Sequence, residues 1–338
     1  MSICTARSTL LAAVLVALLV AACGGDDAGP VADAPSPVTT AAASPAATPT
    51  GDPPEPPTEF RVAFINLLSP ISLDANDVVA AETFEERLTI VIEELKAFSP
   101  DLVAFNEVSF TTRLGSARER LLAGLKMEYA YTRANPWFQG QTQAASDLTA
   151  KQVGFDEGEL VLSRYPILRA ERHGLNPRTS ETEGRAALHV VIKAPAPMDE
   201  LDVYVTHLTG GGEKIRHAQA IDFLSFVANT AGKGPVLLLG DLSEASGSAT
   251  HKVFIDRGLF EVVPMLGKDA VPTCCRESVV GQQPPPGLRT DFIFASGWEA
   301  LSATIFASTP AKRADGTLLY ASDHNGMLAV FPFPSVQP

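Results

Sequence analysis

Amide, carboxylate and imidazole side chains stand in this chain where apolar runs stop. Val236-Leu237-Leu238-Leu239 is apolar at every position, as a strand covered on both faces must be, and it ends abruptly at Gly240-Asp241. Leu102 to Phe105 runs into Asn106-Glu107, Val203 to Thr206 into His207, and Val62 to Ile65 into Asn66. Asp291 heads the run Phe292-Ile293-Phe294, and Ser322-Asp323-His324 comes just before Met327 to Phe331. In α/β sheets ligands bind outside the carboxyl ends of strands, so four polar endings of this kind imply one shared site. Taken singly, Asp241 or Asn66 reads equally well as a turn or helix-cap residue. Together they supply what acid–base and metal chemistry require.

The elements that must position these groups follow from hydrophobic periodicity. Phe60 to Ile65, Leu102 to Phe105, Glu159 to Leu162, Ala187 to Ile192, Leu201 to Val205, Val236 to Leu239, Phe292 to Phe294 and Met327 to Phe331 read as strands. Leu88, Val91, Ile92 and Leu95 fall at helical spacing within Glu82 to Phe98, and Leu114, Leu121, Leu122 and Leu125 do so within Thr112 to Lys126. A third helix is predicted over Glu213 to Asn229, its stripe formed by Ala220, Phe223, Leu224 and Val227. No repeat of fixed period interrupts the alternation. Residues 58–338 therefore form one large α/β domain, since no second linker divides them. Asn135 to Gln152 is the longest polar stretch and reads as a surface loop. Its Trp137-Phe138 pair could meet lipid, line a cleft or cover the core.

Residues 1–22 read as an address. Arg7 precedes the apolar run Leu10 to Val20, which is shorter than the ~20 residues a permanent membrane span needs. The following Ala21-Ala22-Cys23-Gly24 resembles the bacterial lipobox, which implies an exported lipoprotein anchored to the membrane through lipidated Cys23. Residues 23–57, rich in Ala, Pro, Thr and Ser, contain almost no large apolar side chain and read as a disordered tether. At the polyproline rise of ~3.1 Å per residue it could reach on the order of 100 Å from the bilayer.

Among the 338 residues, 26 Lys and Arg against 39 Asp and Glu give a net charge of −13. This excludes the basic footprint of a non-specific nucleic-acid coat. It does not exclude an enzyme that meets phosphate through a bound cation, because the ion supplies the local positive charge. The composition, 46% hydrophobic and 19% charged, excludes disorder over the full length. Cys274 and Cys275 are neighbours, and two thiols, a bridge to a partner and a vicinal disulfide all stay open. His189 lies among apolar residues and reads as structural, while His217 and Arg216 read as a solvated helix face; His173 and His251 have no partner motif. Arg185, Lys214 and Arg216 could meet an anionic substrate, but scattered bases of this kind read first as surface.

Asn66, Asn106-Glu107-Val108, Leu162-Ser163-Arg164-Tyr165-Pro166, Thr206-His207-Leu208, Gly240-Asp241-Leu242-Ser243, Thr290-Asp291-Phe292 and Ser322-Asp323-His324 occur in the order of the endonuclease/exonuclease/phosphatase superfamily, which the chain resembles from Phe60 to Phe331. The resemblance implies a four-layer α/β sandwich, with two mixed β-sheets packed face to face between helices. It also implies a monomer that hydrolyses a phosphate ester with Mg²⁺ or Mn²⁺: nucleic acid, a phospholipid head group or an inositol phosphate. Glu107, with Asn66 and Asp323, is the implied metal set. His324 would take the proton of the attacking water, Asp291 would orient its imidazole, Asp241 would position or deprotonate the nucleophile, and His207 would donate to the phosphoryl or leaving-group oxygen. The family motif after Gly240-Asp241 usually ends in Asn. Here it ends in Ser243, whose shorter hydroxyl implies altered efficiency or substrate choice. A binding protein of the same fold without turnover is the competing expectation.

Overall fold

Successive side chains of a strand face opposite ways, and sorting the buried ones recovers the layers. The computed structural model describes residues 39–41, 58–70, 79, 81–180, 183–262 and 272–333. The predicted signal sequence, Cys23 and the predicted tether apart from residues 39–41 lie outside the described residues. Among the described residues no helix is long and apolar enough to cross a membrane.

In chain order the elements are β1 (Thr39–Ala41), β2 (Glu59–Asn66), α1 (Phe84–Phe98), β3 (Leu102–Thr111), β4 (Gly115–Ser116), α2 (Ala117–Leu125), β5 (Glu128–Asn135), α3 (Gln143–Val153), β6 (Phe155–Ser163), β7 (Ile167–Gly174) and β8 (Ala186–Lys193). They continue with β9 (Glu200–His207), α4 (Glu213–Thr230), β10 (Val236–Asp241), α5 (Ala249–Ile255), β11 (Phe260–Glu261), β12 (Asp291–Ser296), β13 (Ser302–Phe306), the small hairpin β14 (Ala311–Lys312) and β15 (Leu318–Leu319), and β16 (Gly326–Pro332). One sheet runs β1-β5-β6-β3-β2-β16-β13, with β4 beside β3, and the other runs β11-β12-β10-β9-β8-β7. Both are mixed: β2 with β3 and β9 with β10 are parallel, and the remaining pairs are antiparallel.

Phe60, Val62 and Phe64 of β2 enter the central core with Val190, Val203, Leu239 and Ile293 of the second sheet. The alternate residues Ala63 and Ile65 face Phe84, Leu88, Val91 and Leu95 of α1. On the far side, Ala220, Phe223 and Leu224 of α4 pack on Tyr204, Leu238, Phe292 and Phe294. The result is the four-layer sandwich, helices outside and two sheets within.

Two stretches differ from their sequence reading. Asn135 to Gln152 is not a loop throughout, because α3 occupies Gln143–Val153. Caps make it: Thr142 accepts from the Ala145 amide at one end, and Gly154 closes the other with φ 72°. Its buried residues are only Ser146 and Ala150, so no apolar stripe marks the sequence. Trp137 covers core rather than reaching outward, with the Arg172 guanidinium 3.5 Å from its ring centroid and its Nε1 donating to the Gln141 carbonyl. Within the stretch read as tether, Thr39–Ala41 pairs antiparallel with Tyr129–Tyr131 and extends the first sheet.

Phe331, fully buried between the sheets, lies on the strand that follows His324. Phe331→Ala should lower unfolding stability by about 3–5 kcal/mol, read as a shifted urea midpoint at unchanged slope. A loss below about 1 kcal/mol would show that the two sheets do not share a tightly packed core.

Candidate active site

Register decides which strand-end residues meet. Asp241 pairs with His207 on one side and Asp291 on the other, so three polar groups lie in one row across the second sheet. Asn66 pairs with Asn106 across the first sheet, and Phe64 with Met327 places residues 322–325 beside the end of β2. Gly240 must be glycine: a Cβ there would lie 2.1 Å from the Thr206 carbonyl oxygen of the neighbouring strand.

Glu107 is aimed by a β-bulge. Between Phe105 and Val108, Asn106 and Glu107 oppose Glu159 alone, and Glu107 adopts φ 57°. The Glu107 carboxylate accepts from the Ser69 amide at 2.7 Å and from Asn66 Nδ2 at 3.1 Å. Asn66 Nδ2 also donates to Asp241 Oδ2 at 3.2 Å, while its Oδ1 accepts from the Leu68 amide. Asn66 thus holds two carboxylates through its amide hydrogens, with its oxygen turned away from them. Asn106 Oδ1 accepts from the Asp241 amide at 2.9 Å, and Asn106 Nδ2 donates to Glu159.

His324 Nδ1 lies 2.7 Å from Asp291 Oδ2, and its Nε2 lies 3.7 Å from Asp241 Oδ2 and 4.0 Å from Asp323 Oδ1. His207 Nε2 is 3.6 Å from the same Asp241 oxygen, and its Nδ1 is 3.9 Å from Glu107. Asn66, Glu107, His207, Asp241, Asp291, Asp323 and His324 are therefore gathered at one end of the sandwich. Ser243 adjoins them at φ 50°, its amide donating to Asp241 Oδ1 and its hydroxyl to the Leu208 carbonyl.

Protonation in this cluster is set by burial and crowding. Burial, then the Asp291 charge, pushes the Asp241 carboxyl up to about 7 against the pull of His324. Burial penalises the His324 imidazolium, but Asp291, Asp323 and Asp241 outweigh it and hold its pKa well above the usual histidine value. Burial, helped by Arg185 and His324, holds His207 well below it.

Sequence reasoning passed over several neighbours. Glu157 is pushed up to about 7 by burial and Glu107, and burial raises Glu159 well above the usual carboxylate. Their i, i+2 spacing on β6 was the available signal, since it places both on one strand face. Arg185, read as a surface base, is half-buried, and the charges of Glu183, Glu157, Glu107 and Glu159 overcome burial to raise its pKa. Arg87 replaces an apolar residue on the inner face of α1. It donates to the carbonyls of Leu67, Leu68 and Ala321, bracing the segments that carry Asn66 and Ser322-Asp323-His324. Arg216 is no solvated base, being buried and paired with Glu244. His189 is structural, bridging Glu171 at 2.8 Å and Asp202 at 2.7 Å under a stacked Tyr204 ring. His173 and His251 find acids too, Asp222 and Glu261, away from this cluster.

The residues present fit a divalent cation. Asp241, Asp291 and His324 offer ligand atoms within 4.8 Å of one another, and Asp291 Oδ1 is buried without a hydrogen-bond partner among the described residues. Clustered carboxylates of this kind repel one another until a cation offsets them.

Residues 79–324 match the endonuclease/exonuclease/phosphatase family model. The chain belongs to that family, whose members are hydrolases acting on phosphoesters and whose fold generally uses a divalent metal. No curated protein matches its sequence significantly. Among solved structures, a mannosyl-6-phosphatase of Bacteroides thetaiotaomicron is similar at 15% identity and TM-score 0.62, over 81% of this chain and 100% of that one. The human Nocturnin catalytic domain with bound sulfate anion is similar at 21% identity and TM-score 0.57, over 82% of this chain and 94% of that one. A family protein of Beutenbergia cavernae is similar at 18% identity and TM-score 0.57, over 82% and 72% respectively. At these identities the likeness is one of fold.

A raised carboxyl pKa has a definite sign in stability. Folded Asp241 keeps its proton up to about 7, whereas the unfolded carboxyl releases it near 3.8, so stability falls as pH rises through that window and the full cost applies above it. The raised His324 pKa acts in the same direction: its contribution is complete below the unfolded value of 6.5 and is lost as pH rises through the folded one. In metal-free protein, Asp241→Asn should melt a few degrees above wild type at about pH 8, with the gap closing toward about pH 4. Calorimetry showing a pH-independent difference would refute this account of the site's electrostatics.

Proposed function

We propose that the chain hydrolyses phosphate esters by in-line attack of water in a reaction dependent on Mg²⁺ or Mn²⁺. One observation carries the reading: His324 is fixed by Asp291 with its second nitrogen directed at Asp241, inside a buried group of carboxylates. A bound divalent cation would polarise the phosphoryl group and offset the charge that develops on it. Glu107, Asp323 and Asp291, with Asp241, are the residues that would hold it. Asn66 positions two of these carboxylates.

The protonation pattern divides the remaining work. Asp241, with a pKa near neutrality, accepts the proton of the attacking water. His324, whose charged form its acidic neighbours favour, would present an Nε2–H to the phosphoryl oxygens. His207 stays neutral and donates a hydrogen bond toward the leaving group. Arg185 contributes a fixed cation beside Glu107.

With either metal, the protein should cleave bis-(p-nitrophenyl) phosphate. EDTA should abolish the reaction, and His324→Ala should lower kcat by about 10²–10⁴-fold without unfolding the protein. A screen of DNA, sphingomyelin, inositol phosphates and sugar phosphates then identifies the substrate class. The binding-only reading draws on Ser243, whose hydroxyl is engaged by the Leu208 carbonyl. That reading wins if every ester in the screen survives while one of them binds.

The lipobox-like segment supports a second assignment, that the enzyme works outside the cytoplasm on a membrane anchor at Cys23. Cells fed labelled palmitate should label the wild-type chain and leave Cys23→Ser unlabelled. Equal labelling of the two would remove the anchor.

A further inference from the structure

We propose that Cys274, Cys275 and His324 form a thiophilic metal site that exists only when the cysteine pair is reduced, and that a Zn²⁺-like ion bound there withdraws His324 from the hydrolytic centre. The two cysteines are joined as a vicinal disulfide. Cys275 Sγ lies 3.7 Å from His324 Nε2, and the ligand atoms of all three residues lie within 4.8 Å of one another. Tetrahedral zinc, with Zn–S of about 2.3 Å and Zn–N of about 2.0 Å, separates a sulfur and a nitrogen ligand by roughly 3.6 Å. The histidine and the nearer sulfur already have that spacing.

A second, independent feature suits His324 to ligation. A metal-bound histidine commonly gives its other ring N–H to a carboxylate, which fixes the tautomer and makes the free nitrogen more basic. Nδ1 of His324 is so placed against Asp291 at 2.7 Å, leaving Nε2 facing the sulfurs. The cysteines cannot drift away. Cys274 exchanges both backbone hydrogen bonds with Leu288, the Arg276 amide donates to the Asp323 carbonyl, and the Thr273 hydroxyl accepts from the Thr290 and Asp291 amides. This segment is thus stitched to both sides of the hydrolytic centre.

Chemical softness keeps the two sites apart. Carboxylates select Mg²⁺ or Mn²⁺, whereas thiolates select zinc and cadmium. In the oxidised chain neither sulfur is a thiolate. Two external thiols reduce the pair, becoming a disulfide themselves and leaving two cysteine thiols. An incoming zinc ion then displaces the two thiol protons as both sulfurs bind it, and the Nε2 proton of His324 leaves to solvent as that nitrogen joins them. Since zinc ligation takes the nitrogen that would otherwise donate in the hydrolytic centre, filling the soft site leaves no Nε2–H for the phosphoryl oxygens.

Metal binding does not depend on the proposed hydrolysis; inhibition does, so the test has two arms. In the first, full-length protein is reduced with a phosphine, freed of reductant without air, and titrated with Cd²⁺ in excess Mg²⁺. A thiolate-to-cadmium ultraviolet band should saturate at about one equivalent, be absent from unreduced protein, and require at least tenfold more Cd²⁺ in His324→Gln. No band in the reduced chain, or an unchanged affinity in His324→Gln, overturns the site. In the second arm, zinc should inhibit reduced protein at least tenfold more strongly than oxidised protein, and Cys275→Ser should lose that difference relative to its own uninhibited rate. Equal sensitivity of the two wild-type forms, a comparison that needs no variant to fold, overturns the sharing of His324. If no ester is turned over, the cadmium arm decides alone.

Discussion

The molecule depends on a stitch between its two sheets at one end of the sandwich. Asp241 belongs to the second sheet, yet its backbone amide donates to Asn106 and its carboxylate accepts from Asn66, both of the first. All three side chains are buried. Such bonds contribute only about 1 kcal/mol each when made, but leaving one member unpaired in this setting costs about 1–3 kcal/mol. The energetic asymmetry favours register over stability: any slip of β10 against β2 and β3 orphans several buried groups at once. The same stitch brings His207 and Asp291 to Glu107, because both neighbour Asp241 in its own sheet.

Accumulating acids at this end is costly, and the rest of the fold is arranged to bear it. Arg87 spends a fully buried guanidinium on three backbone carbonyls, with burial pulling its pKa down to about 10 against Asp323 and Glu107. Arg185 balances Glu183, Glu157, Glu107 and Glu159 from the other side. Two arginines do not neutralise this many carboxylates, so several are pushed toward their protonated forms. A site in this condition gains more from a divalent cation than a solvated acidic patch would, since the ion removes repulsion that water cannot reach. The acidic net charge of the chain and an anionic substrate are compatible for that reason.

Legibility in the sequence followed burial on both faces. Val236 to Leu239 is covered by the central core on one side and by α4 and α5 on the other, so its uninterrupted apolar run and its stop at Gly240-Asp241 were plain. β5 and the edge strand β7, interrupted by Glu128, Thr132 and Arg133 and by Arg169, Glu171 and Arg172, left no comparable apolar run, and β13 with its alternating exposure was also missed. Helix α3 escaped because caps and local propensity form it without an apolar stripe. In the site, strand-end position exposed Asn66, Glu107, His207 and Asp241. The bulge that aims Glu107 was hidden, because the extra residue is defined only against Glu159 on another strand. Arg87 and Arg185 were hidden likewise: a charge count cannot tell a solvated base from one holding buried carbonyls or carboxylates.

Ser243 shows how one substitution reaches both the loop and the chemistry. The position adopts φ 50°, a backbone region in which Asn is several-fold enriched, so the usual family residue suits the conformation and offers a longer amide. Serine accepts the same backbone while its hydroxyl turns back to the Leu208 carbonyl, directly after His207. That bond ties the end of β9 to the end of β10, and the Leu208 amide returns the connection by donating to the Asp241 carbonyl. The side chain thereby braces the two strands that carry His207 and Asp241. The longer amide usual in the family is replaced here by a shorter group bound to backbone, so in the proposed mechanism orienting the substrate would fall to His207, His324 and a cation that the acids would hold.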